Sequence, residues 1–98
     1  MTKNNKQVKQ QEIKISDNIA GAEYANLMQV LHNKEEFNLL FAHILPPTGK
    51  MVGKITTSPG HFKKMIEVMQ NTLKAYEDQF GKIDIAEDLN GKSGKIGF

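Results

Sequence analysis

Residues 58–81 read SPGHFKKMIEVMQNTLKAYEDQFG, and this stretch decides the fold. Ser58 is typical of a helix N-cap, and Pro59 suits the first helical position. Gly81 is typical of the residue that ends a helix, so we expect a helix of about 33 Å over residues 59–80. Its apolar residues recur at spacings of four, three, four, three and four, which predicts one continuous seam. The helix seam consists of Phe62, Ile66, Met69, Leu73, Tyr76 and Phe80.

The sequence before this helix predicts four strands. Ile13 and Ile15 alternate with polar residues and predict a short first strand. Residues 24–31 and 37–45 predict the second and third strands, and residues 51–57, which are rich in β-branched side chains, predict the fourth. The predicted fold class is therefore α+β: a four-stranded antiparallel sheet followed by one long C-terminal helix (ββββα).

The third predicted strand has apolar residues on both of its faces. One face carries Phe37, Leu39 and Phe41, and the other carries Leu40, Ala42 and Ile44. The single helix is expected to cover only one face of the sheet. Leaving several such side chains in water forgoes several kcal/mol, at ~25 cal/mol per Å². We therefore expect a homo-oligomer, most simply a twofold dimer. The alternative is a curled sheet whose second face is covered by the terminal segments.

The net charge of +2 belongs to the N-terminal end of the chain. Residues 1–14 contain four lysines and one acid, residues 15–83 contain seven of each, and residues 84–98 contain two lysines and three acids. The two polar ends, residues 1–12 and 84–98, are expected to be flexible tails. Residues 13–83 are expected to form one α+β domain with a neutral overall charge.

Composition excludes several classes of protein. The absence of cysteine excludes disulfide scaffolds, thiolate metal sites and cysteine nucleophiles. The longest apolar run, residues 39–42, is far shorter than a membrane span, and the polar N-terminal residues contain no secretory h-region. We therefore expect a cytoplasmic protein without a membrane association.

No residue pattern indicates catalysis, a cofactor or a metal. Residues 86–93, AEDLNGKS, match a relaxed phosphate-loop expression, but too few residues follow to form the helix that this loop requires. His32, His43 and His61 lack the spacing of a helical metal site and have no carboxylate at ligand spacing, although a metal site assembled across a dimer is an alternative. We expect a protein that is not an enzyme and has no catalytic, cofactor-binding or metal-binding residues.

The charges on the helix oppose its macrodipole. Lys63 and Lys64 lie in the first turn, where cations are disfavoured, and Glu77 and Asp78 lie near the other end, where anions are disfavoured. A bound anion would relieve the first conflict by using free N–H groups of the helix start. The acidic helix end of a neighbouring copy would relieve it equally well, and a solvated surface that tolerates the cost is the third alternative. The candidate anion site consists of Ser58, His61, Lys63 and Lys64.

Several short motifs follow one another in a specific order. They are Tyr24-Ala25-Asn26, Glu36-Phe37, Ser58-Pro59-Gly60-His61 with Lys64, and Tyr76-Glu77 with Phe80-Gly81-Lys82-Ile83. Over about residues 13–83 the chain resembles the small bacterial family catalogued as domain of unknown function 3467. The resemblance implies a compact α+β domain and supplies no activity, cofactor or catalytic residue.

We expect a non-catalytic homo-oligomeric interaction module that binds segments of a protein partner. The candidate interface or ligand face consists of Tyr24, Phe37, Leu39 and Phe41. The alternative is a single-stranded nucleic-acid binder that uses the same sheet face together with Lys14, Lys50, Lys54 and the tail lysines. The neutral centre and the lack of arginine oppose this alternative. Four strands followed by a helix is an element order found both in SecB-type export chaperones and in PUR-repeat single-strand binders.

Overall fold

The computed structural model describes residues 11–86 and 96–97, and it has three strands, one helix and a final short strand. The elements are β1 Leu27–His32, β2 Phe37–Leu45, β3 Thr48–Thr57, α1 Pro59–Phe80 and β4 Ile96–Gly97. The strands form one antiparallel sheet in the order β3-β2-β1-β4. The α+β class, the antiparallel sheet and the long helix are confirmed. Most of both predicted tails, with their lysines, and residues 87–93 of the phosphate-loop match lie outside the described residues.

The predicted first strand is wrong. Residues 11–20 contain no strand, and Ile13 and Ile15 are 74% and 85% exposed. The fourth strand is instead β4, which follows the helix and pairs with β1 at Met28 and Gln29. The element order is therefore βββαβ and not ββββα. The chain does not share the element order of SecB-type chaperones and PUR repeats. Two alternating isoleucines have local β-propensity, but they do not specify a neighbouring strand to pair with. A strand forms only when its backbone groups find such a partner.

The bounds of the other strands differ from the prediction at two starts and at one end, since β1 ends at His32 and not at Leu31. β2 spans residues 37–45 as predicted. β1 begins three residues later than predicted, at Leu27, and β3 begins three residues earlier, at Thr48. The early start of β3 has a simple cause: Leu45 pairs with Thr48, so the turn consumes only Pro46 and Pro47.

Asn33 shapes the loop that joins β1 to β2. Its side-chain oxygen accepts hydrogen bonds from the backbone N–H of Glu35 at 2.7 Å and of Glu36 at 3.0 Å. The Asn33 N–H in turn donates to the Glu36 carbonyl at 3.0 Å. This Asx-type turn closes a short loop and fixes the register of the hairpin.

The register of the sheet assigns its side chains to two faces. Leu39 pairs with Val30 and Ile55, and Phe41 pairs with Met28 and Gly53. Because paired residues share a face, one side of the sheet carries a continuous apolar surface. We call it the Phe41 face; it consists of Phe37, Leu39, Phe41, Met28, Val30 and Ile55. The opposite side, called the Leu40 face, consists of Leu40, Ala42, Leu27, Leu31, Met51, Gln29, Asn38, Lys54 and Thr56.

Helix α1 forms as predicted but does not lie along the sheet. The Ser58 side chain accepts a hydrogen bond from the His61 N–H at 3.2 Å, and the N–H of Gly81 donates to the Glu77 carbonyl at 2.9 Å. The expectation that the helix covers one face of the sheet is wrong, because no residue of α1 is buried. A helix seam needs a complementary surface in order to be buried. Among the described residues, the first turn of α1 meets the sheet through half-buried Phe62, whose ring stacks on Phe37.

The apolar core of the described residues is very small. Leu39 and Ala42 are its buried hydrophobic residues, at 2% and 5% exposure. They lie on opposite faces of β2, so each is enclosed mainly by neighbouring strands. A small domain ordinarily buries well over half of the surface of its unfolded chain. The described part of this chain leaves most of its large apolar side chains in water.

Candidate interaction surfaces

The Phe41 face brings together three of the four residues predicted for an interface. Phe37, Leu39 and Phe41 alternate along β2 and point to the same side of the sheet. Leu39 is buried and therefore belongs to the core. The paired side chains on the two strands that flank β2 are open, with Met28 at 40% and Ile55 at 52% exposure. The face is an apolar surface in the middle of the sheet that residues 11–86 leave largely uncovered.

Aromatic rings close both ends of this face. At one end the Phe62 ring of α1 stacks on Phe37, with centroids 4.1 Å apart and planes at 5°. At the other end Tyr24, the fourth predicted residue, packs its ring edge-on against His43 at 5.1 Å. Residues 37–43 span about 20 Å of strand, so the open apolar surface lies between two fixed aromatic pairs.

The middle of the Phe41 face is shallow because Gly53 lies opposite Phe41. A Cβ atom on Gly53 would lie 3.9 Å from Cδ2 of the Phe41 ring, an ordinary van der Waals contact, so the ring lies close to the glycine without excluding a small side chain. Val52, which precedes Gly53, is an extra residue in β3, because Phe41 pairs with Gly53 and Ala42 pairs with Met51. Such a bulge twists the strand and changes the direction of the edge beyond it.

The Leu40 face is mixed and is the weaker candidate, because polar side chains interrupt its exposed apolar residues Leu31 and Met51. The Thr56 hydroxyl donates to the Asn38 side-chain oxygen at 2.7 Å across β2 and β3. Gln29 and Lys54 are the cross-strand neighbours of Leu40. Polar side chains on this side tolerate water without a covering layer, as is typical of the solvent face of an antiparallel sheet.

Asn26 positions the segment that carries Tyr24, a role that is not among the predictions from the sequence. Its side-chain nitrogen donates to the Ile44 carbonyl at 3.0 Å, and its oxygen accepts from the Ile44 N–H at 2.8 Å. The Asn26 N–H also donates to the Ala42 carbonyl at 3.0 Å. The Asn26 carboxamide thus makes the two hydrogen bonds to Ile44 that a backbone N–H and carbonyl would make if β1 continued beside β2. The available signal was an asparagine next to a predicted strand start, a residue type that commonly bonds nearby backbone.

The helix seam is the second exposed apolar surface. From Ile66 onward its residues are between 42% and 66% exposed, and Phe62 is the member that contacts the sheet. The Tyr76 and Phe80 rings contact each other at 5.0 Å, so the seam ends in an aromatic pair. Scattered exposed apolar residues are normal, but a continuous stripe of them marks an interaction surface.

The candidate anion site at the helix start is brought together by the first turn, but part of it already has partners. Ser58 Oγ accepts the His61 N–H at 3.2 Å, which satisfies one of the unpaired groups of the helix start. Lys64 forms an ion pair with Glu67 at 3.4 Å. An anion site here remains a prediction from the sequence.

The histidines lie in different surroundings. The His32 ring packs 5.5 Å from Phe37, and His43 contacts Tyr24. Across residues 11–86, no three His, Cys, Asp or Glu residues lie close enough together to hold a metal ion. In the same part of the chain, no helix has the length and apolar character needed to cross a membrane.

The sequence of this sheet and helix matches a known family model. The model described as "Protein of unknown function (DUF3467)" matches residues 1–85. The chain belongs to the DUF3467 family. The match confirms the resemblance found in the motifs and extends it beyond residues 13–83, through the first twelve residues of this DUF3467 chain. No curated protein matches the chain, and no solved structure does.

Proposed function

We propose that this DUF3467 chain is a non-catalytic homo-oligomeric interaction module that binds extended segments of other proteins. One observation carries the proposal. The described residues bury only Leu39 and Ala42, yet they present two separate apolar surfaces, the Phe41 face and the helix seam. A domain of this size needs more burial than that to be stable, and this supports the proposal that contacts between chains supply part of it.

The two surfaces suit two different roles. A straight stripe on a protruding helix fits another helix, and this is the surface that we assign to self-assembly. The Phe41 face is flat, about 20 Å long and closed at both ends by aromatic pairs. Those dimensions fit an extended segment of about six residues with apolar side chains on one side.

The edge of the sheet supports an extended ligand. β3 is the outer strand in the order β3-β2-β1-β4, so its outer backbone groups have no strand partner among the described residues. An added strand would gain main-chain hydrogen bonds from this edge and specificity from side chains on the adjacent face. Ile55 lies on both β3 and the Phe41 face. A ligand at this residue would therefore contact both the strand edge and the apolar face.

Single-stranded nucleic acid is the alternative ligand, and the positions of its predicted groups favour it less. Lys50 lies opposite His43, next to Tyr24, which places one cation beside aromatic rings. Phe37, however, is stacked on Phe62, and Lys54 lies on the Leu40 face. A stacking platform needs open rings among several cations.

Two matched variants test the protein-segment proposal. Ile55→Lys and Met51→Lys change exposed residues of the same strand, at 52% and 47% exposure, on opposite faces of the sheet. Binding of a fluorescent, permanently unfolded protein, such as reduced and carboxymethylated lactalbumin, is measured by anisotropy. We expect Ile55→Lys to weaken binding tenfold or more, because a lysine in the apolar face must be desolvated, and Met51→Lys to leave it nearly unchanged.

The same samples distinguish the alternatives. Equal binding by both variants, or no binding by the unmodified chain, contradicts a ligand on the Phe41 face. Tight binding of a labelled single-stranded oligonucleotide that weakens steeply between about 50 and 200 mM salt supports the nucleic-acid alternative instead. Sedimentation tests the oligomer separately, and a strict monomer at micromolar concentration contradicts it.

A further inference from the structure

The spacing of the helix seam is that of a coiled coil. The six apolar residues follow alternating steps of four and three, an average of 3.5 residues, and the seam extends over about 27 Å of helix. From Ile66 to Phe80 every member of the seam is exposed. A seam with this period stays in register with a second helix along its whole length, whereas a flat sheet would meet it over a shorter distance.

We propose that α1 pairs with α1 of a second copy, antiparallel and across a twofold axis at the level of Asn71. This interface rests on the homo-oligomeric part of the proposed function and names its surface. A twofold axis at residue 71 brings the seam residues into three facing layers. The layers join Phe62 to the partner's Phe80, Ile66 to the partner's Tyr76, and Met69 to the partner's Leu73.

Charge complementarity favours the antiparallel direction. At 100° per residue, Lys63, Gln70 and Glu77 flank the seam on one side. Antiparallel pairing places Lys63 beside the partner's Glu77, twice in a twofold dimer, and places the two Gln70 side chains next to each other. Parallel pairing would bring the two lysine-bearing helix starts together and would leave both Glu77 carboxylates without a facing cation.

The helix macrodipoles point to the same direction. The first turn of α1 contains no acid and its last turn contains no base, which is the unfavourable arrangement for an isolated helix. In an antiparallel pair, each cationic helix start lies beside the acidic end of the other helix. The charge pattern that is unfavourable for the dipole of a single helix therefore stabilises an antiparallel pair of helices.

The other flank is compatible with close approach. Met65, Thr72 and Gln79 lie there and carry no charge. The charged residues Lys64 and Asp78 lie on the outer side of α1 with Asn71, and each is paired within its own helix, with Glu67 at 3.4 Å and Lys74 at 3.0 Å respectively. Nothing on the paired side requires a charge to be buried alone.

Cross-linking of single-cysteine variants tests the direction, and the natural chain adds no background because it contains no cysteine. Lys63→Cys and Glu77→Cys proteins are mixed, allowed to exchange subunits and treated with a short bis-maleimide. We expect a cross-link between the two variants in the mixture and none in either protein alone, because the two copies of position 63 lie about 21 Å apart along the pair. Asn71→Cys, on the outer side, is the matched control and should remain uncrosslinked.

Each other outcome of this experiment has a definite meaning. A cross-link within Lys63→Cys alone indicates a parallel pair and overturns the proposal. A dimer in sedimentation without any cross-link in the mixture shows assembly through another surface, so the helix pair fails and the proposed function stands. A monomer in sedimentation overturns both.

Charge reversal provides an independent readout. Lys63→Glu improves the dipole of an isolated helix but places a like charge four residues before Glu67, so the two local effects on the helix oppose each other. Circular dichroism of the variant checks that the helix content is unchanged. We expect it to raise the dimer dissociation constant about tenfold or more, and Glu77→Lys in the same chain to restore most of the affinity. The control Lys64→Glu changes the outer side and should leave the constant within about threefold. An unchanged constant for Lys63→Glu would overturn the proposed register.

Discussion

Asn26 shows how one side chain can fix the geometry of a surface. Its carboxamide donates to the Ile44 carbonyl and accepts from the Ile44 N–H, so it completes the ladder where β1 has not yet begun. Tyr24 lies two residues earlier and packs on His43. Both hydrogen bonds are partly buried, and this makes each more costly to leave unmade than an exposed one.

Replacement of Asn26 therefore tests the end of the Phe41 face. Asn26→Ala leaves the N–H and carbonyl of Ile44 without partners, and we expect the free energy of unfolding to fall by about 1–3 kcal/mol. Urea unfolding at fixed protein concentration measures the change. The exposed Asn18 is the control, and Asn18→Ala should stay within about 0.5 kcal/mol. Equal stability of the two variants would show that the Asn26 hydrogen bonds contribute little.

At the scale of elements, α1 is the part of the molecule with the clearest local code. Ser58, Pro59 and Gly81 specify where it starts and ends without any help from the sheet. Its exposed seam shows that formation of the helix and burial of its apolar side are separate events. Isolated helices are marginal in water, so α1 needs a covering surface for most of its stability.

Two glycines at opposite ends of α1 give predictions of opposite sign. Gly81 has φ +100°, so Gly81→Ala should destabilise the protein by about 1–3 kcal/mol. Gly60 lies in the first turn with no atom within 4 Å of an added Cβ, and Gly60→Ala should stabilise the protein by about 0.5–1 kcal/mol. Thermal unfolding of both variants at one concentration measures the two shifts. Shifts of the same sign would contradict the assignment of these helix ends.

The sequence predicts the elements whose signals are local. It fails for strands whose formation depends on which other strand they pair with. The helix and β2 have the expected bounds, because caps, seam and alternation act within a few residues. The strand expected at Ile13 and Ile15 does not form, and β4 takes a place beside β1 that no local pattern indicated. Phe37, Leu39 and Phe41 share a face as alternation requires, but Leu39 is core, and the Asn26 contacts depend on pairing between distant residues.

At the scale of the whole molecule, the described elements have more apolar surface than they cover for one another. A sheet with an open Phe41 face and a helix with an open seam are two halves of an ordinary two-layer domain that are not packed on each other. Pairing of α1 between copies would bury the seam and would bring Phe80 of each helix close to the partner's Phe62 and Phe37. The end of the Phe41 face would then be built from both chains.

This arrangement predicts that stability depends on protein concentration. If folding and dimerisation are coupled, a hundredfold increase in concentration raises the free energy of unfolding by about 2.7 kcal/mol per mole of dimer. With a denaturant dependence of about 1–3 kcal/mol per M, the urea midpoint should rise by about 1 M or more. Circular dichroism at the lower concentration and at the higher one, in matched path lengths, measures both midpoints. Identical midpoints would mean that the chain is stable as a monomer, so the exposed seam would contribute nothing to its folding.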